Sequence, residues 1–289
     1  MTFLLLRRAT QLGLILLYVS AFSWNQQVLV GNLSASSLFD KVILADPFAV
    51  LQMLLAGIEL DERTLIGATI ILAFYALIAG RSFCSWVCPV NMLTDLAAWI
   101  KRRVPMLNKG GRQTVHINRD FRFWVLGLSL ILSAVFGMAA FEAVSPVSLM
   151  HRGLVYGFGV MGIIVLGAIF LFDLLIQRNG FCGHICPLGA FYTLTTRINL
   201  VRIRYDRDSC SDCMDCKVVC PERQVLDMIG HQSAVVTKSA CTNCGRCIDV
   251  CPDSSLGFVL RTKPADFRRY KKEPNLTHES NLRRNHEAA

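Results

Sequence analysis

Charge is what this chain has least of. Only 18% of its 289 residues are Asp, Glu, Lys or Arg, against 53% hydrophobic, and the mean hydropathy is +0.43. A soluble protein of this length is more polar, so the chain reads as a membrane protein with a polar tail. Scattered cysteine is missing too. All 12 Cys fall into four tidy groups, which argues against a secreted disulfide framework and for metal or redox chemistry. No cysteine pair is followed by His in C-x-x-C-H form, which excludes c-type haem. His151 and His184 stand at opposite ends of the last apolar run, a poor arrangement for b-type haem. No Rossmann glycine fingerprint occurs, so flavin or nicotinamide binding is not indicated. The formal net charge of +9 reads, in such a chain, as membrane topology and not as nucleic-acid binding.

What is present is a cysteine pattern written twice. Cys210-Ser-Asp-Cys213-Met-Asp-Cys216-Lys-Val-Val-Cys220-Pro221 and Cys241-Thr-Asn-Cys244-Gly-Arg-Cys247-Ile-Asp-Val-Cys251-Pro252 are both C-x2-C-x2-C-x3-C-P. This is the bacterial run for two [4Fe-4S] clusters, in which the fourth Cys of each run ligates the other cluster. Cluster one is expected on Cys210, Cys213, Cys216 and Cys251, and cluster two on Cys241, Cys244, Cys247 and Cys220. Three thiolates two residues apart can wrap three corners of a cube on one tight loop. The x3 step then starts a helix that carries the fourth Cys to the neighbouring cube, and Pro ends the local hydrogen bonding. Structural zinc favours two separated C-x2-C pairs, a different pattern.

Four apolar runs precede these cysteines, at about Ala9 to Val30, Thr64 to Gly80, Phe123 to Phe141 and Leu154 to Ile176. Each is near the ~20 residues needed to cross a bilayer. Val19-Ser20-Ala21 is a weak signal-peptide cleavage pattern, but the repeat described next favours a retained first helix. Asp46-Pro47 interrupts the semi-apolar piece Val42 to Leu60 and argues against a further span. Leu77-Ile78, Phe83, Cys84, Cys88 and Pro89 recur as Leu175-Ile176, Phe181, Cys182, Cys186 and Pro187 at one offset of 98. Each half is then helix, outer loop with Pro (Pro47, Pro146), helix, C-x3-C-P and amphipathic segment (Leu93 to Ile100 in the first half). Because each half crosses twice, the halves are parallel repeats. The loop after helix two is basic (Lys101, Arg102, Arg103, Lys109, Arg112, Arg119, Arg122), whereas the loops after helices one and three hold Asp40, Asp46, Glu59, Asp61, Glu62 and Glu142. The positive-inside rule therefore places both termini and all the cysteine motifs in the cytoplasm. The expected fold is an α-helical membrane protein of four transmembrane helices in two parallel repeats (1–200), then a C-terminal α+β bacterial 2[4Fe-4S] ferredoxin-like domain (201–262) and a charged, disordered tail (263–289).

Cys84, Cys88, Cys182 and Cys186 form the other candidate site. Each pair sits where a helix leaves the bilayer, and residues four apart on a helical turn share a face. Two such pairs can hold a further metal centre or act as redox thiols; buried structural cysteine is the plain alternative. A membrane electron carrier of this kind has quinol as its natural lipid-soluble partner. Quinol oxidation releases protons, for which Asp173, Asp46, Glu142 and His151 are candidate acceptors. Asp173 lies close enough to Arg178 for a helix-end ion pair, which competes with that role.

Together, four spans, Arg81-Ser-Phe-Cys84-Ser-Trp-Val-Cys88-Pro89, Gly180-Phe-Cys182-Gly-His-Ile-Cys186-Pro187 and the double cysteine run resemble the NapH family over nearly the whole chain. NapH proteins are ferredoxin-type membrane subunits of the periplasmic nitrate reductase system. The related NosR and CcoG types carry a large N-terminal flavin-binding domain or a further C-terminal domain, neither of which is seen in this sequence. The resemblance implies quinol oxidation in the bacterial inner membrane, a NapG-like iron-sulfur protein and other nitrate reductase components as partners, and an accessory rather than nitrate-reducing role. Two other readings stay open: a maturation or redox-maintenance factor that uses the C-x3-C-P thiols, and a structural anchor for a partner ferredoxin.

Overall fold

A computed structural model of the protein describes residues 2–24, 29–38, 42–104 and 118–260. The expected tail at 263–289, Asp40, Lys109 and Arg112 lie outside the described residues.

Helix α1 (Thr2–Trp24) leads to a three-stranded antiparallel meander, β1 (Leu29–Gly31), β2 (Ala35–Leu38) and β3 (Val42–Ala45). The meander is where a plain outer loop was expected. It packs on α3 (Glu62–Phe74), and a Cβ on Gly67 would stand 1.8 Å from the Ile43 carbonyl oxygen, so only glycine permits that approach. Between them, α2 (Pro47–Leu55) starts at Pro47 because Asp46 caps it, accepting from the Phe48 amide at 3.3 Å.

The helical path from Glu62 to Val87 passes through two π-turns and, like Thr2–Ala21, is long and apolar enough to cross a membrane. Only 22% and 17% of these stretches are buried, unlike the core helix of a soluble protein. The other two expected spans are shorter apolar helices, α5 (Phe121–Phe136) and Val160–Ile176. Gly137, at φ 65, ends α5 before Phe141 in the left-handed conformation that glycine tolerates. Leu154 to Ile176 is not one helix. After the short α6 (Ala140–Val144), α7 (Pro146–Tyr156) ends at Gly157 (φ 97), and α8 (Val160–Leu171) begins afresh with a terminal π-turn, Phe172–Ile176. His151 and His184 are therefore on separate elements. These helices turn large apolar side chains outward, among them Leu5, Ile66, Trp124, Ile131, Val160 and Met161, a surface suited to lipid.

Two helices start directly behind the C-x3-C-P prolines, α4 (Val90–Arg103) and α9 (Pro187–Thr195). α9 is almost wholly buried, and its Phe191 and Tyr192 join Phe48, Tyr75 and Phe83 in the core between the two halves. Beyond it, β4 (Val201–Tyr205) is the centre of a second antiparallel sheet, flanked by β5 (Ala234–Val235) and β6 (Leu256–Leu260), with Ile203 opposite Phe258. Two five-residue helices, α10 (Asp215–Val219) and α11 (Arg246–Val250), pack on one another and complete this C-terminal unit. Its core holds Ile203, Tyr205, Leu226, Ile229 and Leu256 together with Cys216 and Cys247.

Candidate functional site

The two cysteine runs fold alike. Met214 (φ 63) and Gly245 (φ 71) are left-handed and turn the chain into α10 and α11, so the first three cysteines of each run curl round one point. Cys220 and Cys251 follow the helices in extended conformation before their prolines. Cys220, Cys241, Cys244 and Cys247 line one cavity of about 20 Å³. Burial pushes the Cys247 thiol well up, and the sulfurs of Cys244, Cys241 and Cys220 add to the rise. Burial also raises the Cys216 thiol; the Lys217 amide opposes this, and Cys251, Cys213 and Cys210 reinforce it. Cys220, the fourth cysteine of the first run, thus lies beside the first three of the second. Among the described residues no three His, Cys, Asp or Glu converge as the ligands of a single ion must. A cluster spreads its thiolates over separate iron corners, so this donor set fits iron-sulfur chemistry. Thiols this buried ionise only against a positive centre, which bound iron supplies.

The C-x3-C-P motifs repeat each other in detail. Phe83–Val87 and Phe181–Ile185 are π-turns, closed by Cys88 N to Phe83 O and Cys186 N to Phe181 O, both at 2.9 Å. π-turns are rare and concentrate at functional sites. Cys88 and Cys186 then take nearly one conformation, ψ 118 and ψ 114, as the chain enters α4 and α9. Cys182 lies within electrostatic reach of Cys186, Cys88 and Cys84. A cavity of about 30 Å³ is lined by Cys84 and Cys182 on one side and Cys244 on the other.

A buried ion cluster fixes the C-terminal unit on this site. Arg81, next to the first motif, meets Glu222 at 2.8 Å with side-chain exposures of 1% and 3%. Arg122 joins Glu222 at 3.1 Å and Arg119 at 3.4 Å. Arg81 also donates to the Cys182 carbonyl at 3.0 Å. Ser85 and Trp86, inside the motif, donate to the Thr242 and Asn243 carbonyls at 2.7 and 3.0 Å. The start of α1 docks on the same half, where Asp249 accepts from the Phe3 and Leu4 amides at 3.2 and 3.0 Å. Arg7, Arg8 and Arg246 surround Asp95 of α4. Sequence reasoning missed Glu222 and Asp95 as organising residues. Their adjacency to Pro221 and their place in the amphipathic stretch were visible, but partners 141 and 88 residues away were not.

Of the candidate proton acceptors, Asp46 and Glu142 are both tied to Ser34, whereas Asp173 stands by the second C-x3-C-P motif. Asp173 does not pair with Arg178. A π-turn and the extended Gln177 (φ −140, ψ 123) separate them, so Arg178 instead reaches the Val218 and Val219 carbonyls, while Asp173 Oδ1 accepts from the Phe181 amide at 2.9 Å. Asp173 Oδ2 is buried without a hydrogen-bond partner among the described residues. Glu142 is held by Ser34 and Ser148, and His151 is buried with its ring 4.6 Å from that of Tyr18. Burial raises the Asp46 carboxyl to about 7 against the opposing Phe48 amide, with Glu142 adding to the rise.

Residues 61–106 and 158–205 each match the "4Fe-4S binding domain" family, and residues 202–253 match the "4Fe-4S dicluster domain". The chain is 45% identical over 225 residues to "Ferredoxin-type protein NapH" of Haemophilus influenzae, covering 78% of this chain and 76% of that protein. The chain belongs to the NapH family. A second relative of that name, from Escherichia coli, is 44% identical over 82% of this chain and 81% of its own length. "Methylamine utilization ferredoxin-type protein MauN" of Methylobacillus flagellatus is 42% identical over 77% of both chains. No solved structure matches the chain. In this NapH-family chain the duplicated match falls on the two C-x3-C-P segments and the dicluster match on the paired cysteine runs.

Proposed function

We propose that this chain takes electrons from membrane quinol and passes them through iron-sulfur centres toward a periplasmic nitrate reductase, by way of a NapG-like iron-sulfur protein. The observation that carries the reading is the shared cavity of Cys84, Cys182 and Cys244, which joins the membrane-side cysteines to the dicluster domain. In this proposal α1, α3, α5 and α8 are four spans in two parallel repeats within residues 1–200, residues 201–262 form the cytoplasmic ferredoxin-type domain, and both termini are cytoplasmic. Cys210, Cys213, Cys216 and Cys251 hold one [4Fe-4S] cluster, and Cys241, Cys244, Cys247 and Cys220 the other. Cys84, Cys88, Cys182 and Cys186 hold a further centre, a reading supported by the "4Fe-4S binding domain" match over both pairs.

Bound clusters supply one-electron transfer; the chain's own groups set its path. Ser85 and Trp86 tie the C-x3-C-P turn to the loop of Cys241 to Cys247, and Arg81 ties it to Glu222 beyond Cys220, so the two cysteine sets keep a fixed separation. Buried Glu222 and its arginines exclude water from that junction. Asp173 Oδ2, unpartnered and inside the fold, is suited to accept a proton beside the second motif.

The test is quinol-dependent reduction of the purified protein, followed by EPR with a NapG-like partner present. Clusters that stay oxidised under reduced quinone analogues would remove the dehydrogenase reading and favour thiol-based maturation. Iron and sulfide content of a Cys84/Cys88/Cys182/Cys186 to Ser variant tests the further centre, since unchanged iron would exclude it. A reporter fused after Ala289 tests the orientation, which periplasmic activity would reverse. The MauN relatives favour a second destination, an electron-transfer system of methylamine utilization. Reduction of nitrate-system but not methylamine-system partners separates the two.

A further inference from the structure

A polar cavity of about 470 Å³ lies where two apolar helices end, within the size range of small-molecule sites. Asn118 and Arg119 line it from just before α5, and Arg178 from just beyond the terminal π-turn of α8. Cys220, Pro221 and Arg223 of the C-terminal unit also line it. The helix ends beside it are apolar and exposed, with Phe121 and Trp124 on α5 and Leu175 and Ile176 on the π-turn.

The lining is positive and unbalanced. Three arginines and, among the described residues, no carboxylate line the cavity. The adjacent Glu222 does not redress this, because Arg81, Arg119 and Arg122 already share it. Arg119 holds Glu222 only at 3.4 Å, and its side chain is 29% exposed. Arg223 is exposed, and its side chain makes no hydrogen bond or ion pair among the described residues. Arg178 gives both terminal nitrogens to the Val218 and Val219 carbonyls, so it contributes a fixed charge and not a free donor. Burial first, and then the charges of Arg102, Arg223 and Arg246, lower its guanidinium to about 10. Like charges gathered round one cavity repel, and an anion between them turns that cost into attraction.

We propose that this cavity binds a phosphate group, with Arg119 and Arg223 as donors and Arg178 as a fixed charge. Guanidinium groups match phosphate oxygens in both geometry and charge. An anionic lipid headgroup and free phosphate offer the same chemistry. The exposed apolar helix ends favour the lipid, whose acyl chains would lie against them, and basic sites at the cytoplasmic ends of spans suit acidic headgroups. This choice of source rests on the reading of α5 and α8 as spans given above. Bound there, the phosphate joins both helix ends to the chain around Cys220 and holds the C-terminal unit at the bilayer surface.

The test is calorimetric titration of the detergent-purified full chain with two probes, dioctanoyl phosphatidylglycerol and inorganic phosphate. The lipid should bind at one site, more weakly as salt rises. Arg223→Gln should weaken it about tenfold, the size of one lost hydrogen bond to a charged group. Arg223 has no side-chain partner to lose among the described residues, so iron content and EPR spectrum should not change in this variant. Arg103→Gln removes an equal charge from the end of α4, outside the cavity, and should bind as wild type does. Equal weakening in both variants would mean general attraction to a basic surface and would overturn the site. Inorganic phosphate that binds at least as tightly as the lipid, and is lost in Arg223→Gln, would keep the phosphate site and remove the lipid as its source. Reconstitution into phosphatidylcholine vesicles reads the spans separately. A chain that resists alkaline washing yet binds neither probe keeps its spans and loses the site, whereas a chain stripped from the vesicles loses the spans and with them the lipid source.

Discussion

The two cysteine runs share one spacing, offset by 31 residues, and sit in opposite surroundings. The second run is pressed against the helices. Gly245 lies on the Phe3 ring, Arg246 meets Asp95, Asn243 receives Trp86, and Asp249 caps α1. The matching positions of the first run are Met214, Asp215, Asp212 and Val218, and they face outward: Cys213, Met214 and Val218 are exposed. Its side chains contact their own unit, as with Ser211 on Asp253 at 2.6 Å and Lys217 on the Ile229 carbonyl at 3.1 Å, and it reaches the helices through the Val218 and Val219 carbonyls, which accept from Arg178. One backbone device therefore serves two purposes. The docked half meets the C-x3-C-P cysteines, and the open half leaves Cys213 at the surface. In the proposed electron path these are the entry and the exit.

The largest effect should come from cutting the ion cluster at Glu222, which directly follows Cys220-Pro221 and anchors the C-terminal unit as a whole. Glu222→Ala leaves Arg81 and Arg122 buried and unpaired, which should cost about 3–5 kcal/mol. Limited proteolysis of the purified protein should then release the C-terminal unit, with the EPR signal of the second cluster broadened or lost first. A double change of Arg81 and Glu222 to Met and Leu should recover much of the stability, since apolar replacements remove the stranded charge. An unaltered digestion pattern for Glu222→Ala would show that the interface does not depend on this cluster.

A smaller break compares matched positions directly. Gly245→Ala puts a side chain at φ 71, where an added Cβ would stand 2.5 Å from Phe3 Cγ, so left-handed strain of about 1–2 kcal/mol is joined by displacement of the helix start. Met214→Ala has the same backbone sign at an exposed site that already carries a side chain, and should be nearly silent. Thermal unfolding in nanodiscs should show a drop for Gly245→Ala alone. Equal drops for both would mean that the left-handed turn, and not the docking of α1, sets the cost.

The cysteine device was legible in the sequence because its chemistry is local. Spacing within a dozen residues marks each run as a cluster motif, and the offset of 98 announced that the C-x3-C-P turns would repeat. The apolar helices were legible in place but not in length, since Gly137 and Gly157 end helices inside stretches of unbroken hydropathy. The β1–β3 meander escaped notice. Its strands are three or four residues long and are held by packing on α3 through Gly67. Least legible was the docking. Arg81, Glu222, Asp95 and Asp249 each look like ordinary charges near a motif, and their meaning lies in partners far along the chain. The expected pair of Asp173 with Arg178 failed for the related reason that a π-turn redirects what helix periodicity places together.

The smallest effect is also the cleanest comparison. Asp249 caps the first turn of α1 from the neighbouring unit, taking the Phe3 and Leu4 amides that the helix itself cannot satisfy, and Thr2 Oγ1 at 3.2 Å. Asp249→Ala should cost about 1 kcal/mol, the ordinary value of a lost N-cap. Val218 is the matching residue of the first run, 48% exposed and with no helix start to hold, so Val218→Ala should leave stability where it was. Hydrogen exchange reads the difference locally. The amides of Phe3 and Leu4 should lose protection in Asp249→Ala and keep it in Val218→Ala, while the core strands β4 and β6 stay protected in both. If the first turn of α1 exchanged no faster in Asp249→Ala, the hold between α1 and the dicluster domain would have to come from Phe3 against Gly245 and Phe258 instead, the latter ring pair standing 5.2 Å apart.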